Sequence, residues 1–436
     1  MVITDNIGVQ IKSRRGKQSS FASGVMKEQD TYLVPLESAK NVMATPVVSI
    51  GDNVKEGTLI GKPKDRYGAF VYSPVSGKVT AILQQLSLHG TMADHVLITA
   101  DKKNEVERFK PVEDFSRKSL LERLMISGCM DEDGELCYIK YIRKSASKKP
   151  KIIVSCVDND PYQSACEVLM RENTEKIVKG ALEFKKLAEA ATITFVFQSH
   201  QKSAISAYKK YVKSNKLKDF YIEIFPDLYP LTTMEVVRYI SGKTLDASGR
   251  FQNGLYVESV FSCKEFFEAL NENKPVTEKL ITIGGEGFAR RGNFVVKVGT
   301  KLQSIMDFVG TPVMESQKIS FKIICGGSMS GIAEESANVA IDSSLHSILF
   351  LTAKEFADEK EYPCNHCGKC ADVCPAKIMP YKIEEFLLSN DLDFAKSFGI
   401  EACTSCGACS YVCPARRYLA QRITNGKHKL ESRGEN

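Results

Sequence analysis

Three observations predict a multidomain α/β and β fold. At 436 residues the chain is long enough for roughly three or four domains, each with its own core. Its pattern shifts from short, turn-separated strands near the N-terminus to strand–helix alternation in the middle. Of its 14 cysteines, eight then fall into two identical runs near the C-terminus. Composition excludes other classes. A net charge of +6 with no long basic tract gives no sign of a nucleic-acid partner. No stretch of about 20 apolar residues is present to span a membrane. The opening residues MVITDNIGVQIKSRRGKQSS lack an apolar signal region. Free thiols without such a leader predict a reducing cytoplasm, with at most peripheral attachment at the inner membrane face.

The N-terminal third reads as β structure. Pro46–Val54, Lys55–Ile60 and Ser73–Ile82 are short strands parted by Gly-Asp, Glu-Gly and Ser-Gly turns. The pairing of GDNVKEGTLI with SPVSGKV resembles the barrel-sandwich hybrid of biotinyl and lipoyl domains. The lysine that carries a cofactor at a hairpin tip in those domains has no Met-Lys or Asp-Lys counterpart here. A structural unit with no carried cofactor is therefore expected.

From about residue 106 buried strands alternate with helices. Lys151–Ser155, Thr192–Phe197 and Phe220–Phe225 read as strands, and 163–190, 201–214 and 233–241 as helices. That order implies βαβ units around a parallel sheet, with ligands beyond the carboxyl ends of the strands. Residues 276–310 read as strand, turn, strand and helix, which suggests a β-grasp unit. The cluster Gly284-Gly285-Glu286-Gly287 lacks dinucleotide-loop spacing and is expected to be a turn. Cys325-Gly326-Gly327-Ser328-Met329-Ser330-Gly331 carries no phosphate-loop lysine.

Cys364, Cys367, Cys370 and Cys374 precede Pro375, and Cys403, Cys406, Cys409 and Cys413 precede Pro414. Each run reads C-x2-C-x2-C-x3-C-P, the spacing of bacterial two-cluster ferredoxins. In those proteins three cysteines of one run and the fourth of the other hold one [4Fe–4S] cluster. The pattern implies Cys364, Cys367, Cys370 with Cys413, and Cys403, Cys406, Cys409 with Cys374. Zinc sites favour separated C-x2-C pairs, and disulfide frameworks favour small secreted domains. Between the runs Ile383, Phe386, Leu387 and Phe394 form one apolar helical stripe, expected to cover the clusters. Arg416, Arg417, Arg422 and Lys427 read as a basic, solvated face or a surface for an acidic redox partner.

A barrel-sandwich unit, an α/β unit, a β-grasp unit and a dicluster ferredoxin, in that order, resemble the C subunit of Rnf electron-transport complexes. Relatives of that family include the cobalamin reductase of propanediol utilisation and the electron-transfer protein associated with proline reductase. The resemblance implies a lead-in over 1–27, a barrel-sandwich hybrid over 28–105 and a Rossmann-like α/β domain, like the flavin subunit of complex I, over 106–275. It further implies a β-grasp domain over 276–358, a helical dicluster domain over 359–420 and a basic tail over 421–436. It also implies FMN and hydride from NADH at the α/β unit.

The chain departs from the family at that site. A glycine-rich run ending in Gly-Phe-Pro-Thr before an Ile-Lys pair becomes Cys129-Met130-Asp131-Glu132-Asp133-Gly134-Glu135-Leu136-Cys137-Tyr138-Ile139-Lys140. Tyr-Pro with Gly-Gly-Glu-Lys becomes Tyr229-Pro230-Leu231-Thr232-Thr233-Met234-Glu235, and the opening Gly-Gly-x-His-Pro is absent. Carboxylates where a backbone should meet phosphate predict a degenerate FMN/NADH site. Cys129 and Cys137 are expected to be ordinary, partly buried thiols, with a redox-active pair as the alternative. Cys156, Cys166, Cys263 and Cys325 are expected in the core. Asp158, Asp160 and Glu167 are expected to be solvated loop carboxylates. No metal is assigned to the histidines, and no residue is assigned a catalytic role.

The favoured function is an iron–sulfur carrier. It would relay single electrons between a flavoprotein or ferredoxin and a reductase or membrane complex. The alternatives are an NADH-oxidising FMN enzyme and an assembly subunit whose clusters are structural.

Overall fold

The computed structural model describes residues 8–16, 18–131, 133–145, 147, 149–241, 254–312, 321–355 and 360–434. Glu132 of the acidic loop and the first seven residues of the lead-in lie outside them.

The N-terminal unit is built of short strands: β1 (Gly24–Val25), β2 (Thr31–Pro35), β3 (Ala44–Pro46), β4 (Asn53–Val54), β5 (Leu59–Pro63), β6 (Val71–Tyr72), β7 (Gly77–Leu86) and β8 (Met92–Ala100). They form two antiparallel sheets, β2-β8-β7-β4 and β3-β5-β6, closed over Val34, Ile60, Val79, Val96 and Ile98. The glycine of SPVSGKV has a steric reason. A Cβ on Gly77 would lie 2.2 Å from the Thr99 carbonyl oxygen across the ladder. β1 leaves this unit and pairs with a distant strand of the third unit, described below.

The middle unit contains α1 (Arg117–Ile126), β9 (Lys151–Ser155), α2 (Ala165–Glu172), α3 (Thr174–Ala188), β10 (Thr192–Gln198), α4 (Lys202–Ser214), β11 (Phe220–Phe225), α5 (Thr233–Ser241), β12 (Leu255–Ser259) and α6 (Val260–Asn271). The helix expected over 163–190 is two helices. They break at Asn173, whose N–H bonds back to Leu169 while α3 starts anew. The four strands are parallel in the order β11-β10-β9-β12. The chain therefore reverses its direction of travel across the sheet between β9 and β12. That is where the crevice of an open α/β sheet lies. Apolar runs in β9 and β10 are buried on both faces, as a parallel sheet between helices requires.

The third unit holds β13 (Glu278–Gly284), β14 (Gly292–Lys297), α7 (Leu302–Val309), β15 (Phe321–Cys325), β16 (Ile332–Glu334) and β17 (Ser347–Thr352). Its sheet runs β1-β14-β13-β17-β15-β16, with only β1/β14 and β13/β17 parallel. α7 presents Leu302, Ile305 and Val309 to Ile281, Ile283 and Phe350.

The last unit is helical: α8 (Lys369–Asp372), α9 (Pro380–Leu388), α10 (Leu392–Ser397), α11 (Ala408–Tyr411) and α12 (Leu419–Gly434). The single apolar stripe expected here is instead two helices broken at the positive-φ Asn390. Ile383 is buried, but Phe394 is 56% exposed and only stacks on Phe386. Among the described residues no helix is long and apolar enough to cross a membrane.

Candidate functional site

The two cysteine runs are one backbone design used twice, 39 residues apart (Cys364 and Cys403). His366 and Ser405, Gly368 and Gly407, and Lys377 and Arg416 are paired positions, and all six have positive φ. Short helices α8 and α11 follow the two glycines, and α9 and α12 begin at equivalent places. Left-handed turns fold each loop tightly enough for three cysteines to face one point. They also aim backbone amides inward. The His366 N–H lies 3.4 Å from Cys364 Sγ, and the Ser405 N–H lies 3.4 Å from Cys403 Sγ. Cys364, Cys367, Cys370 and Cys413 line one small cavity. Cys374, Cys403, Cys406 and Cys409 line a second. Each cavity thus offers four sulfur donors, three from one run and one from the other, walled by Tyr381 and Leu419 or by Ile378 and Ile423. Four thiolates and an apolar wall suit an iron–sulfur cluster.

Most of the residues expected to form a solvated basic face instead brace the clusters. Arg417 Nε donates to Glu384 Oε2 at 2.8 Å, and Arg422 Nη2 donates to Glu361 Oε2 at 2.7 Å, with Arg422 also reaching Glu384. Glu384 is buried on α9, so the network ties the segment before the first run to α9 and α12. Arg422 holds Glu361 down to about 2, ionised at any working pH. Lys427 donates to the Cys403 carbonyl at 2.6 Å.

Behind the second cysteine cavity lies a larger one of about 350 Å³, within the range of small-ligand pockets. It opens at the carboxyl ends of β9 and β12. Val157, Asp158, Asn159, Phe261, Tyr229, the two ends of the Cys325–Gly331 loop, Thr404 and Cys406 line it. Tyr229 Oη donates to the Cys406 carbonyl. A Cβ on Gly407 would sit 2.3 Å from the Met329 carbonyl oxygen, so the glycine-rich loop and the second cluster loop are in close contact. Asp160 Oδ2 fixes that glycine-rich loop, accepting from Ser328 Oγ at 3.0 Å and Met329 N at 3.1 Å.

Asp158, Asp160 and Glu167, expected in solvent, are buried. Asp158 caps α2, accepting from the N–H groups of Cys166 at 2.9 Å and Glu167 at 3.0 Å, and from Gln201 Nε2 at 3.0 Å. Glu167 accepts from Ser203 Oγ. Sequence patterning missed them because a carboxylate that satisfies helix amides looks like any loop acid. It also missed Arg15, whose guanidinium reaches from the lead-in to the carbonyls of Asp158, Asp160 and Gln163. The fit of this cavity to a nucleotide phosphate is poor. The helix N-terminus that would bind phosphate is occupied by Asp158. The lining holds Asp133, Asp158 and Asp342 with no lysine or arginine among the described residues. Its His346 is neutral, since burial pushes the imidazole down to about 3.

Residues 129–131 and 136–140 turn inward, while Asp133 and Glu135 stay exposed. Asp131 does not face the cavity. Its Oδ2 is 2.7 Å from Lys140 Nζ, which also donates to Glu258 at 3.3 Å and to the Val257 carbonyl at 2.6 Å. Glu258 further accepts from Tyr141 Oη at 2.9 Å, Cys137 Sγ at 3.2 Å and Ser262 Oγ at 3.0 Å. Cys129 and Cys137, expected to be partly buried, are wholly buried with their sulfurs 3.8 Å apart. Burial pushes both thiols up, Cys137 well above the ordinary range. That disfavours the nucleophilic thiolate. Cys156, Cys166, Cys263 and Cys325 are buried as expected, though Cys166 and Cys325 border the cavity.

A barrel of two small sheets, a parallel α/β unit with a crevice and a paired set of four-cysteine cavities define a multidomain iron–sulfur protein. Known domains match in the same order. They are the RnfC barrel sandwich hybrid domain at residues 5–103, the Nuo51 FMN-binding domain at 129–265 and a 4Fe-4S dicluster domain at 361–418. The chain is 24% identical over 379 residues to the C subunit of the ion-translocating oxidoreductase complex of Haemophilus influenzae (strain 86-028NP), covering 85% of this chain and 56% of that one. It is 26% identical to the corresponding C subunit of Rhodobacter capsulatus over 84% of this chain and 72% of the other. It is 27% identical to the C subunit of the proton-translocating ferredoxin:NAD(+) oxidoreductase complex of Clostridium ljungdahlii, over 80% and 77%. The chain spans about half the length of the Haemophilus relatives, 56% of one and 46% of another. The chain is thus similar over most of its length to the C subunits of Rnf-type electron-transport complexes, and its dicluster domain carries two [4Fe–4S] clusters.

Proposed function

We propose that the protein relays single electrons between a redox partner and a reductase or membrane-bound complex, to which it attaches peripherally. The first cluster would be held by Cys364, Cys367, Cys370 and Cys413, and the second by Cys403, Cys406, Cys409 and Cys374. One observation carries this reading: two four-cysteine cavities, the second of which shares Cys406 and Thr404 with the α/β cavity. The clusters supply one-electron chemistry when bound. The protein's residues wall them from water, orient them through the Arg417, Arg422, Glu361 and Glu384 network, and present the first at the surface. We read the six-stranded sheet as a β-grasp domain and keep the boundaries at 28–105, 106–275, 276–358 and 359–420.

The match to an FMN-binding domain favours a second reading, an NADH-oxidising flavoprotein. The acidic lining, with no lysine or arginine among the described residues and its His89 already paired with Asp342, opposes it. Anaerobically purified protein separates the two. About eight irons with acid-labile sulfide, no FMN released on heating, and no cluster bleaching by NADH support the relay. Stoichiometric FMN with bleaching in seconds supports the flavoprotein. Zinc without sulfide overturns both.

A further inference from the structure

We propose that the two cysteine cavities are electrostatically unequal, so that the cluster of the first takes up an electron more readily than that of the second. Arg417, a positioning residue held by Glu384, is the side chain that sets the first apart. The inference rests on the relay reading and adds the order in which the two clusters fill.

The 39-residue repeat lets the two sites be compared position by position. Every residue lining the first cavity has its repeat counterpart lining the second. The backbones match, so the side chains carry the difference. Arg417 lines the first cavity where Ile378 lines the second, and Tyr381 stands where the second has Ala420. Glu384, which holds Arg417, corresponds to Ile423. An ion pair therefore replaces two isoleucines.

The pair is oriented. Arg417 lines the cavity and Glu384 does not. Glu384 accepts from Arg422 as well as Arg417, so its charge is shared between two guanidinium groups. The positive end of the pair thus faces the sulfur donors. Reduction adds negative charge to a centre already held by four thiolates, and a facing cation stabilises that added charge. Solvent acts in the same direction. Cys367 is exposed where its counterpart Cys406 is half-buried, and Cys413 is half-buried where Cys374 is buried. Water stabilises added charge better than the apolar wall of Ile378 and Ile423 does.

Two donors oppose this order. Lys427 reaches the Cys403 carbonyl, where the repeat counterpart Leu388 brings no charge, and Tyr229 Oη donates to the Cys406 carbonyl. They narrow the gap without closing it, because the greater exposure of the first site has no counterpart at the second. Lys369 and Asp372, both exposed and of opposite sign, offset each other. In the relay one electron then passes from the second cluster to the first. One is oxidised as the other is reduced, and no proton or bond moves.

The test uses the full chain with both clusters, titrated anaerobically with dithionite and redox mediators while reduced clusters are counted by EPR. Two one-electron steps are expected, separated by a factor of at least about ten in equilibrium constant, or about 59 mV. Cys374→Ser, which removes a donor of the second cavity, is expected to keep the higher step and lose the lower. Arg417→Ile/Glu384→Ile gives the first cavity the wall of the second. It is expected to lower the higher step about tenfold and leave the other within about twofold. Arg417→Lys keeps the charge and is expected to stay within about threefold of wild type. Lys427→Leu, which gives α12 the residue its counterpart carries, is expected to lower only the lower step and widen the gap, and it keeps the test open if the double variant loses iron. A single unresolved step in the wild type, loss of the higher step in Cys374→Ser, equal shifts of both steps in the double variant, or a shift of the higher step in Lys427→Leu would each overturn the proposal. If dithionite reduces no cluster at all, the relay reading falls and this order with it. Full reduction with any of the contrary outcomes sinks the order alone.

Discussion

Lys140 occupies the position where the family resemblance places an Ile-Lys pair near nucleotide phosphates, yet it is folded into the core. Substituting Lys140→Met keeps most of the side-chain volume and removes the charge. The ammonium lies 2.7 Å from Asp131 Oδ2, 3.3 Å from Glu258 Oε1 and 2.6 Å from the Val257 carbonyl, and all three residues are buried. Burial alone would push Lys140 down, but the two carboxylates outweigh it and hold the ammonium well above its ordinary value. The variant therefore strands two buried carboxylates and a carbonyl. Breaking a buried pair of this kind costs about 3–5 kcal/mol. For a unit of 150–250 residues that is a drop of about 6–20 °C in Tm. Anaerobic melting followed by circular dichroism measures it, and hydrogen exchange at β9 and β12 localises it. Adding Glu258→Leu is expected to recover part of the loss, because one stranded charge goes with it. The reasoning is refuted if the wild type binds FMN, the variant does not, and Tm moves by less than about 2 °C. Lys140 would then be a phosphate ligand and not a structural cation.

The remaining predictions concern the clusters, the thiols and pH. Cys374→Ser is expected to remove the cluster of the second run and leave that of the first, so iron falls to about half and one set of reduced-cluster resonances disappears from the EPR spectrum. Loss confined to the first run's cluster would show that the fourth ligands do not cross over. Native-state alkylation at mild pH is expected to leave Cys129 and Cys137 unmodified, since both are buried and burial raises both thiols. Recovery of a reversible 129–137 disulfide from mildly oxidised protein would contradict that. Burial pushes Glu334 up to about 7 from an ordinary 4.5, with His89 opposing. A raised acid favours the folded state while protonated. Its contribution is full below about 4.5 and lost as pH rises through about 7. Glu334→Gln is expected to flatten the fall of Tm over that window, and an unchanged slope would assign it elsewhere.

The features legible in the chain alone are local ones. Cysteine spacing states the number of sulfur donors and, through its likeness to two-cluster ferredoxins, the expected crossing of the fourth ligand. Period-two and strand–helix patterns delivered the barrel sandwich and the parallel sheet, because those signals span contiguous residues. Folding decided what involves residues far apart in the chain. Asp158 and Asp160 looked solvated until α2 and the 325–331 loop closed on them. Asp131 looked like a barrier to phosphate until Lys140 turned it inward. Arg417 and Arg422 looked like a solvated face until Glu361 and Glu384 met them. A charged side chain carries no periodicity that says which way it will face. Desolvation and the partner it finds on folding settle that, and both depend on the whole packed chain.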